Sequence, residues 1–537
     1  MIRRLPGRFA GVARLTRDTR RFLRTPVSLN QAVEVIRERF ATRDDRFLRM
    51  AERAIYGHPR SPYLQLLRAA GCEFGDLKTL VSQEGLEASL SRLADAGVYV
   101  TFDEFKGRKE AIRGGRRIAL AEEEFDRPGM LPHFEARSGG TRGSGTQVKM
   151  GFPYMTDLAL STTLALHVHG LSEFDHVIWS QGAAPVLLYA KLGRSPLAWF
   201  YPLRPLPLKT QVVSRYLAVI GQIFGHPIPA PRFLDIQDPD RMALWLASHL
   251  RRGRSICVTA FASSAVRVAA AACAKGISLH GVCFITLGEP FTDAKRRIVE
   301  ASGARALVRY AFTEAGIIGF GCGSPKSSDD IHFFLDSYGM VRRSRPVSDS
   351  DLTVEAFLFT SLLPSAPKIL LNVESGDHGT VERRDCDCGF TALGLRDHIA
   401  EIRSFEKLSG EGMTFVRSDL LRVVEEVLPG RFGGNSADYQ VLEEERDDGT
   451  LRLLLIASPR IGPVDEEKLR QAFLEELARG GSLALFGARI WERAGTVEVE
   501  RRLPVATKAG KILPFHLLKA SRERFDGSPR RPRVGST

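Results

Sequence analysis

The sequence predicts an α/β protein in two parts: a large N-terminal α/β domain with mostly parallel sheets, and a small C-terminal α+β domain joined to it by a polar stretch. Three observations lead there. Between residue 134 and about residue 373, short β-rich runs alternate with helical segments, as in a parallel sheet covered on both faces. After Gly410 the pattern changes to an amphipathic helix, a hairpin and another helix. At 537 residues the chain also exceeds what one hydrophobic core usually supports.

Taken in order, residues 1–60 read as a basic helical extension. Here Ile2, Leu5, Phe9, Val12 and Leu15 stand among arginines, which suits a solvated tail, an anionic membrane surface or a transit peptide. Helical periodicity runs from residue 28 to 125, with Ala32, Val35, Ile36 and Phe40 on one stripe. The large domain covers residues 61–400. Its clearest strands are 176–180, 255–259, 281–286 and 306–310, with helices at 265–275 and 292–301. The small domain covers 401–520: a helix at 419–428, a hairpin turning at Asp447, Asp448 and Gly449, a helix at 466–479 and a strand near 490–499. The polar junction is 396–412, and 521–537 is a basic tail.

The formal charge of +13 is concentrated at the two ends, in 1–24 and 522–533, and no nucleic-acid-binding signature accompanies it. No apolar run reaches the ~18 residues of a bilayer span, so a soluble protein without integral membrane association is expected. Seven cysteines, an odd count, point to cytoplasmic thiols rather than a disulfide framework.

Four segments carry chemistry. Residues 137–146 pack four glycines and four hydroxyl side chains into ten positions: Ser138, Gly139, Gly140, Thr141, Arg142, Gly143, Ser144, Gly145 and Thr146 follow Arg137. Glycines let backbone N–H groups converge on phosphate, and hydroxyls and Arg142 add donors. The spacing is neither a Walker loop nor a dinucleotide fingerprint. A flexible surface loop is the plain alternative, and Ala136-x-Ser138-x-Gly140 also reads as a degenerate nucleophile elbow, making a serine hydrolase the rival class. Tyr310-Ala311-Phe312-Thr313-Glu314 follows an apolar run, at a strand's carboxyl end where α/β sheets bind ligands. Glu374-Ser375-Gly376-Asp377 follows another, and a carboxylate there can accept two hydrogen bonds from a vicinal diol. Near the carboxyl end stands Pro504-Val505-Ala506-Thr507-Lys508-Ala509-Gly510-Lys511-Ile512.

In this order the segments resemble the motifs of the adenylate-forming, AMP-dependent synthetases. Gly288-Glu289-Pro290 is similar to that family's turn near the adenine and acyl pocket. The resemblance covers about residues 61–519. It implies a large adenylation domain and a small mobile domain on a hinge, for which Arg396-Asp397 or 403–407 offers the polar junction. It also implies ATP-dependent activation of a carboxylic acid to an acyl-adenylate with release of pyrophosphate, then transfer to CoA. On this resemblance the 138–146 loop wraps the β- and γ-phosphates, Tyr310 lies against adenine, Thr313 contacts the α-phosphate and Glu314 holds Mg²⁺. Asp377 grips the ribose, Arg403 belongs to the ATP/AMP set, and Lys511 bridges the substrate carboxylate and the α-phosphate, where a point cation stabilises the charge that builds up. The acceptor stays open between CoA and a carrier protein, an enzyme cysteine or an amine, and a non-catalytic nucleotide-binding homologue is the other alternative. Three departures from the pattern are Ala311 for glycine, Ser144-Gly145-Thr146 in place of a closing proline and lysine, and the missing Gly-Arg-x-Asp-Asp hinge.

Cys386-Asp387-Cys388-Gly389 is a Cys-x-Cys knuckle, and Cys322 and His332 lie upstream in a glycine-rich, loop-like stretch. Three thiolates and an imidazole make a closed tetrahedral set for structural zinc. Reduced, unliganded cysteines are the alternative. A similar set is found in the phenylacetate-CoA ligase branch, which the chain therefore resembles most. Cys72, Cys257, Cys273 and Cys283 sit in apolar runs and are expected in the core. Phe152, Tyr154, His167, His169, Trp179 and Phe261 are either acyl-pocket or core residues.

Overall fold

A computed structural model describes residues 5–137, 147–180, 182–204, 206–346, 353–405, 407–410, 413–416, 420, 422–446, 450–479, 482–505 and 515–517. The chain enters through helices α1 (Leu5–Arg24), α2 (Leu29–Ala41), α3 (Arg43–Met50), α4 (Pro62–Ala69), α5 (Phe74–Glu84), α6 (Leu86–Asp95) and the single turn α7 (Phe102–Phe105). Ser28 caps α2 by accepting from the Gln31 amide at 3.2 Å, and Thr101 and Glu104 form a reciprocal capping box on α7. Two hairpins follow, β1 (Ala111–Arg113) with β2 (Arg116–Ile118), and β3 (Phe134–Arg137) with β4 (Gln147–Met150).

The alternating region is α8 (Phe152–Val168), β5 (Asp175–Trp179), α9 (Ala184–Lys191), β6 (Ala198–Tyr201), α10 (Leu208–Ile223), β7 (Pro231–Phe233), α11 (Pro239–Leu250), β8 (Ile256–Phe261), α12 (Ala262–Ala274), β9 (Val282–Leu287), α13 (Asp293–Ala301) and β10 (Arg305–Phe312). Here the strands run parallel in the order β10-β9-β8-β5-β6-β7. Their residues are apolar almost throughout because helices cover both faces. From β10 the same sheet continues antiparallel through β11 (Gly316–Gly321), β12 (Ile331–Phe333), β13 (Tyr338–Pro346), β14 (Thr353–Ser361), β15 (Val373–Arg383) and β16 (Asp397–Ser404). The full order of the twelve-stranded sheet is β13-β14-β15-β16-β12-β11-β10-β9-β8-β5-β6-β7. In the glycine-rich, loop-like stretch residues 322–330 form neither strand nor helix, as expected, whereas His332 lies in β12 and Gly316, Gly319 and Gly321 just before the stretch belong to β11. A Cβ on these glycines would strike the Tyr154 hydroxyl, the His332 carbonyl and Leu307, so the close approach of neighbours requires them.

The small domain begins after β16, with the hairpin β17 (Lys407–Gly410) and β18 (Met413–Val416). The junction expected at 396–412 therefore starts inside a strand of the large sheet. Then come α14 (Leu428–Phe432), β19 (Tyr439–Glu445), β20 (Leu451–Ala457), α15 (Glu466–Ala478), α16 (Ser482–Ala494), β21 (Val497–Arg501) and β22 (Phe515–Leu517), the strands ordered β21-β20-β19-β22. A helix replaces the first half of the strand expected at 490–499. Ala484, Ala488 and Trp491 are buried at helical spacing, and the strand starts only at Val497.

The basic entry region is packed into the large domain. Phe22, Leu23, Ala32, Ile36 and Phe47 are buried in the core that also holds Phe357, Leu358 and Phe359 of β14. Arg39 pairs with Asp157, and the Arg46 guanidinium donates to the carbonyls of Leu362 at 2.8 Å and Asp336 at 2.5 Å. A second core lies under the parallel strands and runs on into the small domain through Leu420, Val441, Phe473 and Trp491. Between the domains Arg493 pairs with Asp235, and Arg267 donates to the Ala494 carbonyl at 3.2 Å. Cys72, Cys257 and Cys283 are buried as expected, whereas Cys273 is exposed, on the outer face of α12. Tyr154 and Trp179 are core residues. Among the described residues no helix is long and apolar enough to cross a membrane.

Candidate active site

β9 and β10 lie parallel with Val308 opposite Thr286, so Gly288, which follows β9, and Tyr310, which pairs with Gly319 of β11, come side by side toward the carboxyl edge of the parallel strands. Gly288 has φ +81°, a turn that a side chain would strain. The turn is fixed from beneath. Glu289 is buried, accepts from Ser263 Oγ at 2.7 Å and lies 3.7 Å from Lys295 Nζ, which donates to the Pro290 carbonyl at 2.8 Å. Glu289 thus anchors the loop from inside.

The Tyr310 hydroxyl donates to Asp377 Oδ2 at 2.7 Å. β10 and β15 are four steps apart in the strand order, which in a flat sheet would separate them by about 19 Å. The antiparallel half must therefore curl over the end of β10. Aromatic rings fill the inside of the curl, with Phe359 centred 6.3 Å from Tyr310 and 5.6 Å from Phe312. Gly376 has φ +79°, and its carbonyl accepts from the Phe405 amide and Ser404 Oγ, both at 3.0 Å, which aims the Asp377 side chain off the strand. Burial, with the Asp377 carboxylate beside it, raises the Tyr310 phenol well above its ordinary value, so it stays a donor.

Glu314 is buried just beyond β10 and pairs with Lys106, which follows α7; their side chains are 8% and 10% exposed. Lys106 Nζ also lies 5.6 Å from the centre of the Phe102 ring. No sequence signal marked Lys106 among the lysines of the entry region. Thr313 is half-buried next to Glu314. Glu374 is buried, 3.4 Å from Arg345 Nε, and accepts from the Phe102 amide at 3.4 Å. Arg403 sits opposite His378 on β16, where its Nη1 donates to Asp329 at 2.8 Å. Tyr310, Glu314, Asp377 and the Gly288-Glu289-Pro290 turn thus come together around one strand end.

Ser138, Gly139, Gly140, Thr141, Arg142, Gly143, Thr146 and Lys511 lie outside the described residues. Their flanks are described. Arg137 pairs with Gln147 across the β3–β4 hairpin, so the glycine-rich run links two antiparallel strands. Ser138, on which the hydrolase reading rests, lies outside the described residues. On one side of Lys511 the Gln440 side chain holds Val505, accepting from its amide at 2.8 Å and donating to its carbonyl at 3.0 Å. On the other side β22 pairs with Val441–Glu443 of β19.

The predicted metal ligands converge. Cys388 Sγ is 2.9 Å and Cys386 Sγ 3.4 Å from His332 Nε2, the two sulfurs are 3.2 Å apart, and Cys322 Sγ is 3.6 Å from Cys386 Sγ. His332 Nδ1 donates to the Leu395 carbonyl at 2.8 Å, leaving Nε2 for the sulfurs. The structure adds His398, which sequence spacing missed. One donor atom each from Cys322, His332, Cys386 and His398 lies within 4.8 Å of the others, and Asp330 accepts from His398 Nδ1 at 2.8 Å. Hydrogen bonds from Cys322 and His332 pull the Cys388 thiol far down, and the same contact pushes Cys322 up. The donor set fits a structural zinc ion.

No protein-family model matches the chain, and no curated protein matches its sequence. Solved structures do. 2-Hydroxyisobutyryl-CoA ligase, in complex with 2-HIB-AMP and CoA in the thioesterification state, superimposes with a TM-score of 0.52 at 16% identity, over 89% of this chain and 90% of that one. An open conformation of that ligase gives 0.43 at 16% identity, over 84% and 89%. A mutant amide bond synthetase from Marinactinospora thermotolerans gives 0.40 at 14% identity, over 92% and 97%. The first of these shows that the chain shares the fold of 2-hydroxyisobutyryl-CoA ligase over most of its length.

Proposed function

We propose that this chain is an AMP-forming acid–thiol ligase of the phenylacetate-CoA ligase-like branch, acting on a carboxylic acid, ATP and CoA. The Tyr310–Asp377 hydrogen bond carries the reading. It joins an aromatic ring and a diol-binding carboxylate at the strand end where α/β sheets take nucleotides. The shared fold supports it, because the ligase with that fold is complexed with an acyl-AMP and CoA.

In the first half-reaction a carboxylate oxygen of the acid attacks the α-phosphorus of ATP. The bond to the bridging oxygen breaks, and pyrophosphate leaves. Asp377 accepts from the ribose hydroxyls, Tyr310 backs the adenine, and the 138–146 loop and Thr313 donate to phosphate oxygens. Glu314 is the carboxylate offered to the Mg²⁺ that accompanies ATP, an ion that would neutralise phosphate charge. Lys511 reaches between carboxylate and α-phosphate, a role for a mobile point cation. In the second half-reaction the thiol sulfur attacks the acyl carbon, the acyl–oxygen bond to AMP breaks, and the thiol proton leaves to solvent. Domain rotation about the junction after β16 exchanges the Lys511 face for the thiol-binding face.

Cys322, His332, Cys386 and Cys388 are proposed to hold structural zinc, with His398 beside them. Such a site ties β12 to the irregular chain after β15 and takes no part in the reaction. Its thiols suit a cytoplasmic, reducing setting.

The test is a library of carboxylic acids assayed for pyrophosphate release with ATP and Mg²⁺, with and without CoA. One acid should release pyrophosphate, and its acyl-CoA should form only when CoA is present. ATP binding without AMP formation from any acid would replace this reading with that of a non-catalytic homologue.

A further inference from the structure

The strongest unexplained surface is on α10. Leu208, Val212, Val219 and Ile223 are 75%, 61%, 55% and 65% exposed. At 100° per residue they fall within about 60° of arc, one apolar ridge along the whole helix. The opposite face, with Ser214, Leu217 and Ile220, is buried, so the ridge is surplus to the core. α10 contains Lys209 and Arg215 and no acidic residue.

Beside it lies α1. Thr19 Oγ1 is 3.4 Å from the Tyr216 hydroxyl, and the Arg20 guanidinium sits 5.8 Å from the centre of the Phe224 ring, just past the end of α10. α1 buries Thr19, Phe22 and Leu23 and leaves Arg14, Arg17, Arg20, Arg21 and Arg24 exposed. Its acidic residue, Asp18, faces His133 at 3.3 Å. An apolar ridge therefore runs along an arginine-rich bank.

We propose that the α1–α10 face is a peripheral docking surface for an anionic lipid bilayer, with the ridge entering the headgroup boundary and the arginines meeting acidic headgroups. Charge decides between this occupant and a second copy of the chain. Two α10 ridges packed against each other would bring two arginine banks together at the rim, whereas acidic lipid neutralises them. The ridge supplies apolar area to bury, and each arginine near the surface adds about fivefold in partitioning. This inference stands apart from the ligase reading, because it uses none of the strand-end residues.

Cosedimentation of the full chain with vesicles tests it. The wild type should sediment with phosphatidylcholine vesicles containing about one-third phosphatidylglycerol, release in high salt, and ignore pure phosphatidylcholine. V212E/V219E should lower the partition coefficient at least tenfold, as should R17E/R20E. Ile223→Ser, a milder exposed change, should lower it severalfold with an unaltered circular dichroism spectrum. The proposal fails if the wild type does not sediment. It also fails if only the arginine changes matter, which would mean unspecific attraction without the ridge. A wild-type dimer in sedimentation velocity that V212E/V219E converts to monomer would give the ridge to a second copy.

Discussion

Tyr310 and Asp377, 67 residues apart, share a hydrogen bond of 2.7 Å although three strands separate theirs in the sheet. The contact exists because the antiparallel half of the sheet curls over the end of the parallel half, and Phe359 packs against Tyr310 and Phe312 beneath it.

That pair gives the first prediction. Asp377→Ala should raise the KM for ATP by about tenfold to a hundredfold, the loss of charge-assisted hydrogen bonds worth ~1.5–3 kcal/mol. Tyr310→Phe keeps the ring and removes one hydrogen bond that orients Asp377, so the rise should be severalfold. Nucleotide titrations at saturating acid check both, and an unchanged KM in Asp377→Ala would remove the ribose role.

Lys511→Ala should abolish acyl-adenylate formation and spare thioester formation from supplied acyl-AMP. Single-turnover assays of the two half-reactions separate these outcomes. Equal loss of both would show that the lysine supports the fold of the small domain and not phosphoryl chemistry.

The sulfur cluster predicts about one equivalent of zinc per chain in protein purified without chelator. Cys386→Ser should lower the content and the Tm. His398→Ala should leave zinc near one equivalent if Cys388 is the fourth ligand, and lower it if His398 is. Elemental analysis reads the difference.

His176 supplies a pH dependence of stability. It is buried in β5, stacked 4.3 Å from the Tyr189 ring, and burial, with Arg194 nearby, lowers its pKa to about 3. The folded state therefore holds the neutral ring while the unfolded chain titrates near 6.5. This contribution is fully present above pH 6.5 and is lost as pH falls towards 3, at up to ~1.4 kcal/mol per pH unit. Urea unfolding at pH 7 and 5 should show the loss, and His176→Phe should flatten it.

The parallel strands were readable because strands buried on both faces become continuous apolar runs, as in 281–286. The Gly288 and Tyr310 motifs were readable because each stands toward the end of such a run, whereas the 374–377 motif proves to lie inside β15. The curl was not readable. At Gly316 and Gly319 the Tyr154 hydroxyl and the His332 carbonyl stand where a Cβ would go, a close approach that no sequence pattern announces. Lys106 was invisible for another reason: its partnership with Glu314 depends on how the entry helices dock, which periodicity does not encode. His398 likewise gains meaning only from the register that sets it opposite His332. Residues 490–494 were misread because a few apolar residues among charged ones fit strand and helix alike, until the burial of Ala484, Ala488 and Trp491 at helical spacing chooses.

β10 and β15 are not sheet neighbours, and at their meeting point the Tyr310–Asp377 hydrogen bond and the packing of Phe359 join them across a seam. A nucleotide seated there would act as a clasp on that seam, and its grip would add to the work of prising the curled half of the sheet open, by ~2.7 kcal/mol at a hundredfold excess over Kd. The cell's ATP level would then set how often this part of the molecule breathes, and slow amide exchange in β14 and β15 would report a well-fed enzyme.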